Sequence, residues 1–288
     1  MTAAPSLVTI IFNPNSTGDG EKNARTLARQ LKKQGQKVAL VGTQHAGHAR
    51  EIASEFATKH ADGMIISSSG DGGYHEVVNG VVTSSNPQVI TGVLPSGNAN
   101  DHYHFVHRGD TVQRIRTGDV DNIDLIKVTT PDWTAYAHSY VGVGMTSQIG
   151  KELTKATLNP LIEAWLVVSQ LFKLRSVKIR VKGKVRSYDH MVWSNSGRMS
   201  KYLTLSTDAS IDDGLFEVTR VKSGSIAGLL SHLFKATADS LSDTPQVEHF
   251  EFTALTALSM QLDGEAYAVP SGATVTLESA KQKLRCIV

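Results

Sequence analysis

Apolar and polar positions in the first 120 residues follow two alternating patterns. Short aliphatic and β-branched runs at 7–12, 37–41, 64–66 and 89–94 predict strands. Between them, residues 21–34 place Ala24, Leu27, Ala28 and Leu31 on one apolar stripe with Lys, Arg and Gln elsewhere, and Gly35 closes the segment. Residues 49–60 repeat the design, so both predict amphipathic helices. Strands separated by helices predict a parallel α/β sheet covered on both faces. Three of these strands run into polar or glycine-rich loops, at 13–18, 69–73 and 95–101. Ligands in such sheets gather beyond the carboxyl ends of the strands, so the three loops are expected on one edge, as a site.

Beyond about residue 120 the pattern changes. Residues 123–129 and 137–143 read as strands, and 153–174 as a helix interrupted near Pro160. Short β-prone runs follow at 177–181, 188–193, 202–205, 215–221, 250–258 and 274–277, with one further helix at 225–235. The fold expected is an α/β nucleotide-binding domain with a parallel sheet over residues 1–130, then an antiparallel β-rich domain over 131–275. Residues 276–288 are expected to return to the first domain.

Composition narrows the function classes. With 40% apolar and 19% charged residues the chain is globular, and a net charge of +2 gives no footprint for nucleic acid. The single Cys286 excludes a disulfide framework or a thiolate metal centre within one chain. The amino end, MTAAPSLVTIIFNP, lacks a basic leader, so a cytoplasmic location is expected. Residues 158–174 are broken by Asn159, Pro160, Glu163, Gln170 and Lys173. They predict an amphipathic helix that either packs in the core or, with Lys173, Arg175, Lys178 and Arg180, touches the inner membrane face peripherally.

The chemistry centres on MIISSSGDGGYHEVVNG at 64–80, a buried strand feeding a glycine turn and a helix. Gly70, Gly72 and Gly73 clear side chains from backbone N–H groups that can hold a phosphate, with the following helix adding its own. Asp71 would repel an anion there, which points to an intervening Mg²⁺. A plain helix-capping turn is the blander reading. Glu76 and Asn79 share a helical face, with Glu76 anchoring the glycine loop from below and Gly80 ending the helix. In LPSGNAND, Ser96 and Gly97 leave room for nucleotide, and Asn98, Asn100 and Asp101 bring hydrogen-bonding groups; Asp101 is equally a helix cap. Asp124, just before an apolar run, is the best placed of the carboxylates at 119, 121 and 124. His102, His104 and His107 lack the spacing and partners of a zinc site, and His45, His48 and His75 read as loop or surface residues. In the second half, Asp213 of IDDGL and Asp263 or Glu265 of LDGE are either turn residues or, respectively, a metal ligand and a base for an attacking hydroxyl.

Together these motifs resemble the diacylglycerol kinase catalytic family, in particular the soluble bacterial lipid kinases that also resemble sphingosine kinases. The resemblance rests on Asn13-Pro14 with Ser16 and Gly18, SGDGGYHEVVNG at 69–80, LPSGNAND at 94–101, Asp124, YVGVG at 140–144, DDG at 212–214 and DGE at 263–265. It implies a nucleotide-binding domain of the NAD kinase and diacylglycerol kinase type, with ATP and Mg²⁺ as cofactors and a lipid hydroxyl as acceptor, diacylglycerol first. By position, residues 69–73 correspond to the family's phosphate loop and Asp71 to its signature aspartate. Asn13, Asn100, Asp101 and Asp124 correspond to the nucleotide and metal-supporting set, and Ser16, Glu76, Gly97 and Asn98 are expected to join them in binding the nucleotide. Asp213 falls at a metal position, and Asp263 and Glu265 fall where the acceptor hydroxyl is activated. The usual family loop reads GGDGT where this chain reads SGDGG, and Asn98 stands where threonine is usual. Other readings stay open: a sphingoid or other amphiphile kinase, an NAD-type soluble kinase, and a lipid-binding regulator without transfer. A homodimer also stays open.

Overall fold

The computed structural model describes residues 4–16, 18–107, 109–144, 176–199, 203–204, 209–222 and 244–287. These divide into two compact units, an α/β unit of residues up to 125 with 211–214 and 280–288, and a β unit of 126–210 with 215–279. The expected helices at 153–174 and 225–235 lie outside the described residues. Among the described residues, no helix is long and apolar enough to cross a membrane.

In the α/β unit, β1 (Val8–Phe12), β2 (Val38–Gly42), β3 (Met64–Ser69) and β4 (Ile90–Pro95) are parallel in the order β2-β1-β3-β4. α1 (Gly20–Lys33) follows β1, α2 (His48–Lys59) follows β2 and α3 (Asp71–Val82) follows β3. The expected stripe of Ala24, Leu27, Ala28 and Leu31 is buried in one cluster with Val8, Ile10, Met64 and Ile66. A fully buried leucine or isoleucine contributes ~1.5–3 kcal/mol, so this stripe fixes which face of α1 meets the sheet. The chain leaves β1 toward β2 on one side and returns to β3 on the other, which makes the β1/β3 carboxyl ends the switch point of the sheet.

Gly80 does not end α3. The helix runs on to Val82, and a Cβ at position 80 would lie 2.4 Å from the Arg50 carbonyl oxygen and 2.7 Å from the Ala53 Cβ. Glycine there lets α2 and α3 pack closely, and that contact outweighs its weak helix propensity. Two short helices that the apolar pattern does not announce, α4 (Asp101–Val106) and α5 (Thr111–Thr117), follow β4.

The chain passes between units within β5 (Asp121–Thr129) and again within its last strand. The β unit holds β6 (Thr134–Ala137), β7 (Tyr140–Gly144), β8 (Val177–Val181), β9 (Lys184–Ser194), β10 (Arg198–Met199) and β11 (Leu203–Thr204). It continues with β12 (Phe216–Lys222), β13 (Gln246–Val247), β14 (His249–Ala254), β15 (Leu258–Leu262) and β16 (Glu265–Val269) and the first part of β17 (Thr274–Cys286). Its pairings are antiparallel, β9 joining β7, β8 and β12, and β14 joining β8 and β17. Trp193, Phe216 and Phe252 fill its core, the Trp193 and Phe252 rings stacked with centroids 5.6 Å apart. The single strand expected at 137–143 is instead β6, a turn at His138 and Ser139, and β7. The run at 250–258 likewise divides into β14 and the start of β15.

Candidate active site

The three strand-end loops of the α/β unit interlock. The Ser68 hydroxyl donates to the Gly20 carbonyl at 2.7 Å and lies 3.2 Å from Ser96 Oγ. Asn23 Nδ2 donates to Ser96 Oγ at 3.0 Å, and the Ser96 N–H donates to the Ser69 carbonyl at 3.0 Å. Glycine is a steric requirement at the crossings. A Cβ on Gly18 would lie 2.2 Å from the Ser96 carbonyl oxygen, and one on Gly97 would lie 2.4 Å from Gly70 Cα. Main chain therefore meets main chain, which no other residue permits.

Asp71, the first residue of α3, couples two of these loops. Its carboxylate oxygens accept from the N–H groups of Asp101 and His102, each at 3.1 Å, and so cap α4. Asn100, left-handed at φ 52°, closes the loop: Oδ1 accepts from the Gly97 N–H at 2.9 Å and Nδ2 donates to the Gly97 carbonyl at 3.0 Å. At α3 itself, the N-cap Gly70 supplies no side-chain cap, and Gly72 and Gly73 lie in the first turn. First-turn N–H groups have no partner within a helix, so bare glycine at the cap leaves a cradle that fits a phosphate oxygen.

The other expected residues of this unit are distributed around that centre. Asn13, Ser16 and Asn98 are exposed, and Asn13 Oδ1 accepts from the Asn15 N–H at 2.9 Å. Glu76 does not anchor the glycine loop. Its carboxylate accepts from the N–H groups of Gly47 at 3.0 Å and Ala49 at 3.1 Å, capping α2 where Gly47 has no side chain to do so. His75, expected at the surface, is buried beside Asn79 on α3. Asp124 is buried within β5, where Oδ2 accepts from the Gly214 N–H and Oδ1 from the Gln282 N–H, both at 2.6 Å. It thereby ties the 211–214 turn and the last strand to the α/β unit, and leaves Asp212 and Asp213 exposed on that turn.

Residues 7–128 match the family model of the diacylglycerol kinase catalytic domain. This segment belongs to that family. Over 89% of its length the chain is 24% identical to a diacylglycerol kinase of Staphylococcus saprophyticus, covering 88% of that protein. It is equally 24% identical to a diacylglycerol kinase of Staphylococcus aureus, of which it covers 85%. A crystal structure of a diacylglycerol kinase from Bacillus anthracis matches the whole chain with a TM-score of 0.71 at 17% identity, covering 98% of that chain. That likeness establishes the mixed parallel and antiparallel α/β fold of the family.

Within the diacylglycerol kinase fold, the second Asp-Gly turn is built differently from the first. Asp263 and Gly264 have φ of 49° and 102°, a two-residue turn joining β15 to β16 with Leu262 opposite Glu265. The Asp263 carboxylate is fully buried. It accepts from the N–H groups of His138 at 2.8 Å, Ser139 at 2.9 Å and Tyr140 at 3.0 Å, with His138 Nε2 at 3.5 Å. Those three bonds hold the turn that divides β6 from β7, which the apolar run at 137–143 conceals. Glu265, two residues on, is exposed.

Among the described residues, His45, His48 and Glu51 bring ligand atoms within 4.8 Å of one another at the start of α2. Two imidazoles suit a transition metal better than Mg²⁺, which takes oxygen ligands, so this is not the Mg²⁺ set that the family implies. His45 and Glu51 are exposed there and His48 is half-buried, in keeping with reading His45 and His48 as loop or surface residues.

Proposed function

We propose that the protein is a lipid kinase that transfers the γ-phosphoryl group of ATP, with Mg²⁺, to a lipid hydroxyl, diacylglycerol being the first acceptor to test. The observation that carries this reading is the interlock of the three strand-end loops, glycine against glycine at Gly70 and Gly97, inside a segment that matches the kinase family. Relatives named for the same activity extend along 89% of the chain, which supports a lipid acceptor over the soluble ribose of an NAD-type kinase.

In this reading the uncapped first turn of α3, with Gly72 and Gly73, binds phosphate oxygens through backbone N–H groups. Asp71 acts by holding the 69–73 and 97–101 loops in register, through the amides of Asp101 and His102. Asp213 is the exposed carboxylate for the metal, its turn fixed by Asp124. Bound Mg²⁺ supplies charge neutralisation on the phosphates. The acceptor oxygen attacks the γ-phosphorus in line, the bond to the β–γ bridging oxygen breaks, and ADP leaves. Glu265 takes the hydroxyl proton, because Asp263 has both oxygens engaged with backbone amides.

Purified protein with ATP, Mg²⁺ and mixed micelles of diacylglycerol, a sphingoid base and a neutral carrier should yield phosphorylated diacylglycerol, with NAD in excess failing to compete. Measured ATP binding without transfer to any lipid would sink the reading in favour of a non-catalytic lipid binder. Transfer to NAD would move it to the soluble-kinase class.

A further inference from the structure

The hairpin of β8 and β9 gathers a charge that the rest of the chain does not carry. Lys178, Arg180, Lys182, Lys184 and Arg186 recur at every second position, and no Asp or Glu stands between Ser176 and Tyr188. The other 24 basic residues are outnumbered by 27 acidic ones, so the chain without this segment is net negative.

Alternation at period two would put all five cations on one face of a continuous strand. The turn divides them instead. Lys182 and Gly183, left-handed at φ 48° and 75°, form a two-residue turn that sets Val181 opposite Lys184 and Arg180 opposite Val185. Lys178, Arg180 and Val185 therefore share one face, Lys184 and Arg186 share the other, and Lys182 is at the tip. Toward the base of the hairpin, Val177, Ile179 and Tyr188 are buried in the core of the β unit and anchor it. Beyond that base the hairpin projects. Among the described residues, the pairing of β14 with β8 goes no further toward the turn than Arg180, and β9 has no strand neighbour except β8 before Tyr188.

All five cations are exposed, and among the described residues none makes an ion pair or a side-chain hydrogen bond. Five like charges without a counter-charge repel one another, and an anionic partner relieves that repulsion. Val185, opposite Arg180, is the large apolar side chain left exposed among the described residues, at 58%.

We propose that the tip of this hairpin docks the protein on an anionic lipid bilayer, its cations meeting headgroup phosphates while Val185 enters the boundary between headgroups and acyl chains. The choice of a bilayer rests on the lipid-acceptor reading above, and the place rests on the hairpin alone. At ~3.4 Å per residue, positions 180 to 185 lie within about 10 Å of the tip, about one Debye length in physiological salt, so their charges act on a surface that the tip touches. Five cations divided between two faces of a finger do not track a phosphate backbone, which makes nucleic acid the poorer partner.

The test is sedimentation of the full chain with phosphatidylcholine vesicles, with and without phosphatidylglycerol, in the absence of ATP and acceptor. The parent should pellet with the anionic vesicles, much less with the neutral ones, and should be released as salt rises. Lys182→Gln combined with Lys184→Gln should weaken partition about 30-fold. Lys32→Gln combined with Lys33→Gln, the same charge change on exposed residues of α1, should stay within about twofold of the parent. Val185→Ser should weaken partition about threefold at low and high salt alike. None of these exposed substitutions should move the melting temperature. A parent that ignores anionic vesicles or pellets equally with neutral ones overturns the proposal, as does a hairpin pair that partitions like the parent. So does a control pair that loses as much as the hairpin pair, because net charge would then be the whole effect. Parent-like partition by Val185→Ser overturns the insertion of that side chain. Hairpin-dependent binding to duplex DNA without vesicle pelleting overturns the bilayer in favour of nucleic acid. Hairpin-dependent pelleting with no lipid phosphorylated removes the kinase reading and leaves the docking surface standing. Phosphorylation of diacylglycerol in anionic vesicles at the parent rate by the Lys182 and Lys184 pair does the reverse.

Discussion

Each unit of the molecule carries an Asp-Gly turn that reads as chemistry, and the two use their aspartates to different degrees as structure. Asp71 lies at the half-exposed start of α3 and accepts from two N–H groups of a neighbouring helix. Asp263 is fully buried and accepts from three consecutive N–H groups of a strand turn. In both, the carboxylate organises main chain, Asp71 at the start of α4 and Asp263 at the turn between β6 and β7. A motif aspartate thus marks a site by building it.

Removing each carboxylate should separate the two cases. Asp263→Ala leaves three buried N–H groups unpaired. Allowing for partial relaxation, it should destabilise the protein by about 3–5 kcal/mol in urea unfolding. Asp71→Ala removes two backbone bonds at the first turn of a short helix, against three for Asp263, so its cost should be about 1–2 kcal/mol, with ATP affinity falling well beyond what that loss explains. Equal destabilisation by both substitutions would break the comparison, because it would make Asp71 a core group as well.

These differences also show what the linear chain discloses. The parallel sheet was legible because each strand is a compact apolar run, and α1 because its stripe of Ala24, Leu27, Ala28 and Leu31 is buried as its spacing requires. The convergence of the loops at 13–18, 69–73 and 95–101 was legible too, since parallel topology puts their strands' carboxyl ends together. Partners distant in sequence were not. Nothing near Glu76 announces that it caps α2, 29 residues away from Gly47, and nothing at 137–143 announces the turn that Asp263 imposes from 125 residues on. Gly80 misled for a related reason: local propensity reads glycine as a stop, whereas the approach of α2 makes it a contact.

A probe confined to the α/β unit sharpens the comparison further. Cys286, paired with Thr91 of β4, is fully buried, and burial pushes its thiol pKa far up, the Asp121 charge adding to this and Arg114 opposing it. A raised folded-state pKa contributes stability that is intact below the unfolded thiol value near ~8.5 and is lost as pH rises above it. The parent should therefore lose about 1.4 kcal/mol per pH unit above that point from this residue alone. The difference between parent and Cys286→Ala stability, followed from pH 8 to 10, isolates the contribution from lysines and tyrosines. A constant difference across that range would mean that the thiol ionises in the folded protein.

The smallest structural effect is expected at Glu265, where the comparison makes its most specific claim. The side chain is exposed at the first position of β16, opposite Leu262 across the Asp263-Gly264 turn. Glu265→Gln preserves its size and should change stability by less than about 0.5 kcal/mol, as exposed substitutions do. If Glu265 takes the acceptor proton, the same change should lower kcat by about 100-fold, with ATP affinity unaltered, since the proton moves only in the transition state. Asp263→Asn makes the contrast. It keeps one oxygen but turns an amide NH₂ toward backbone N–H groups, so it should lose stability first and turnover only in proportion to unfolded protein. Were Asp263→Asn instead to fold normally and stop turnover, while Glu265→Gln stayed active, the two roles would have to be exchanged. The base would then be the aspartate, leaving the backbone amides of 138–140 during the reaction.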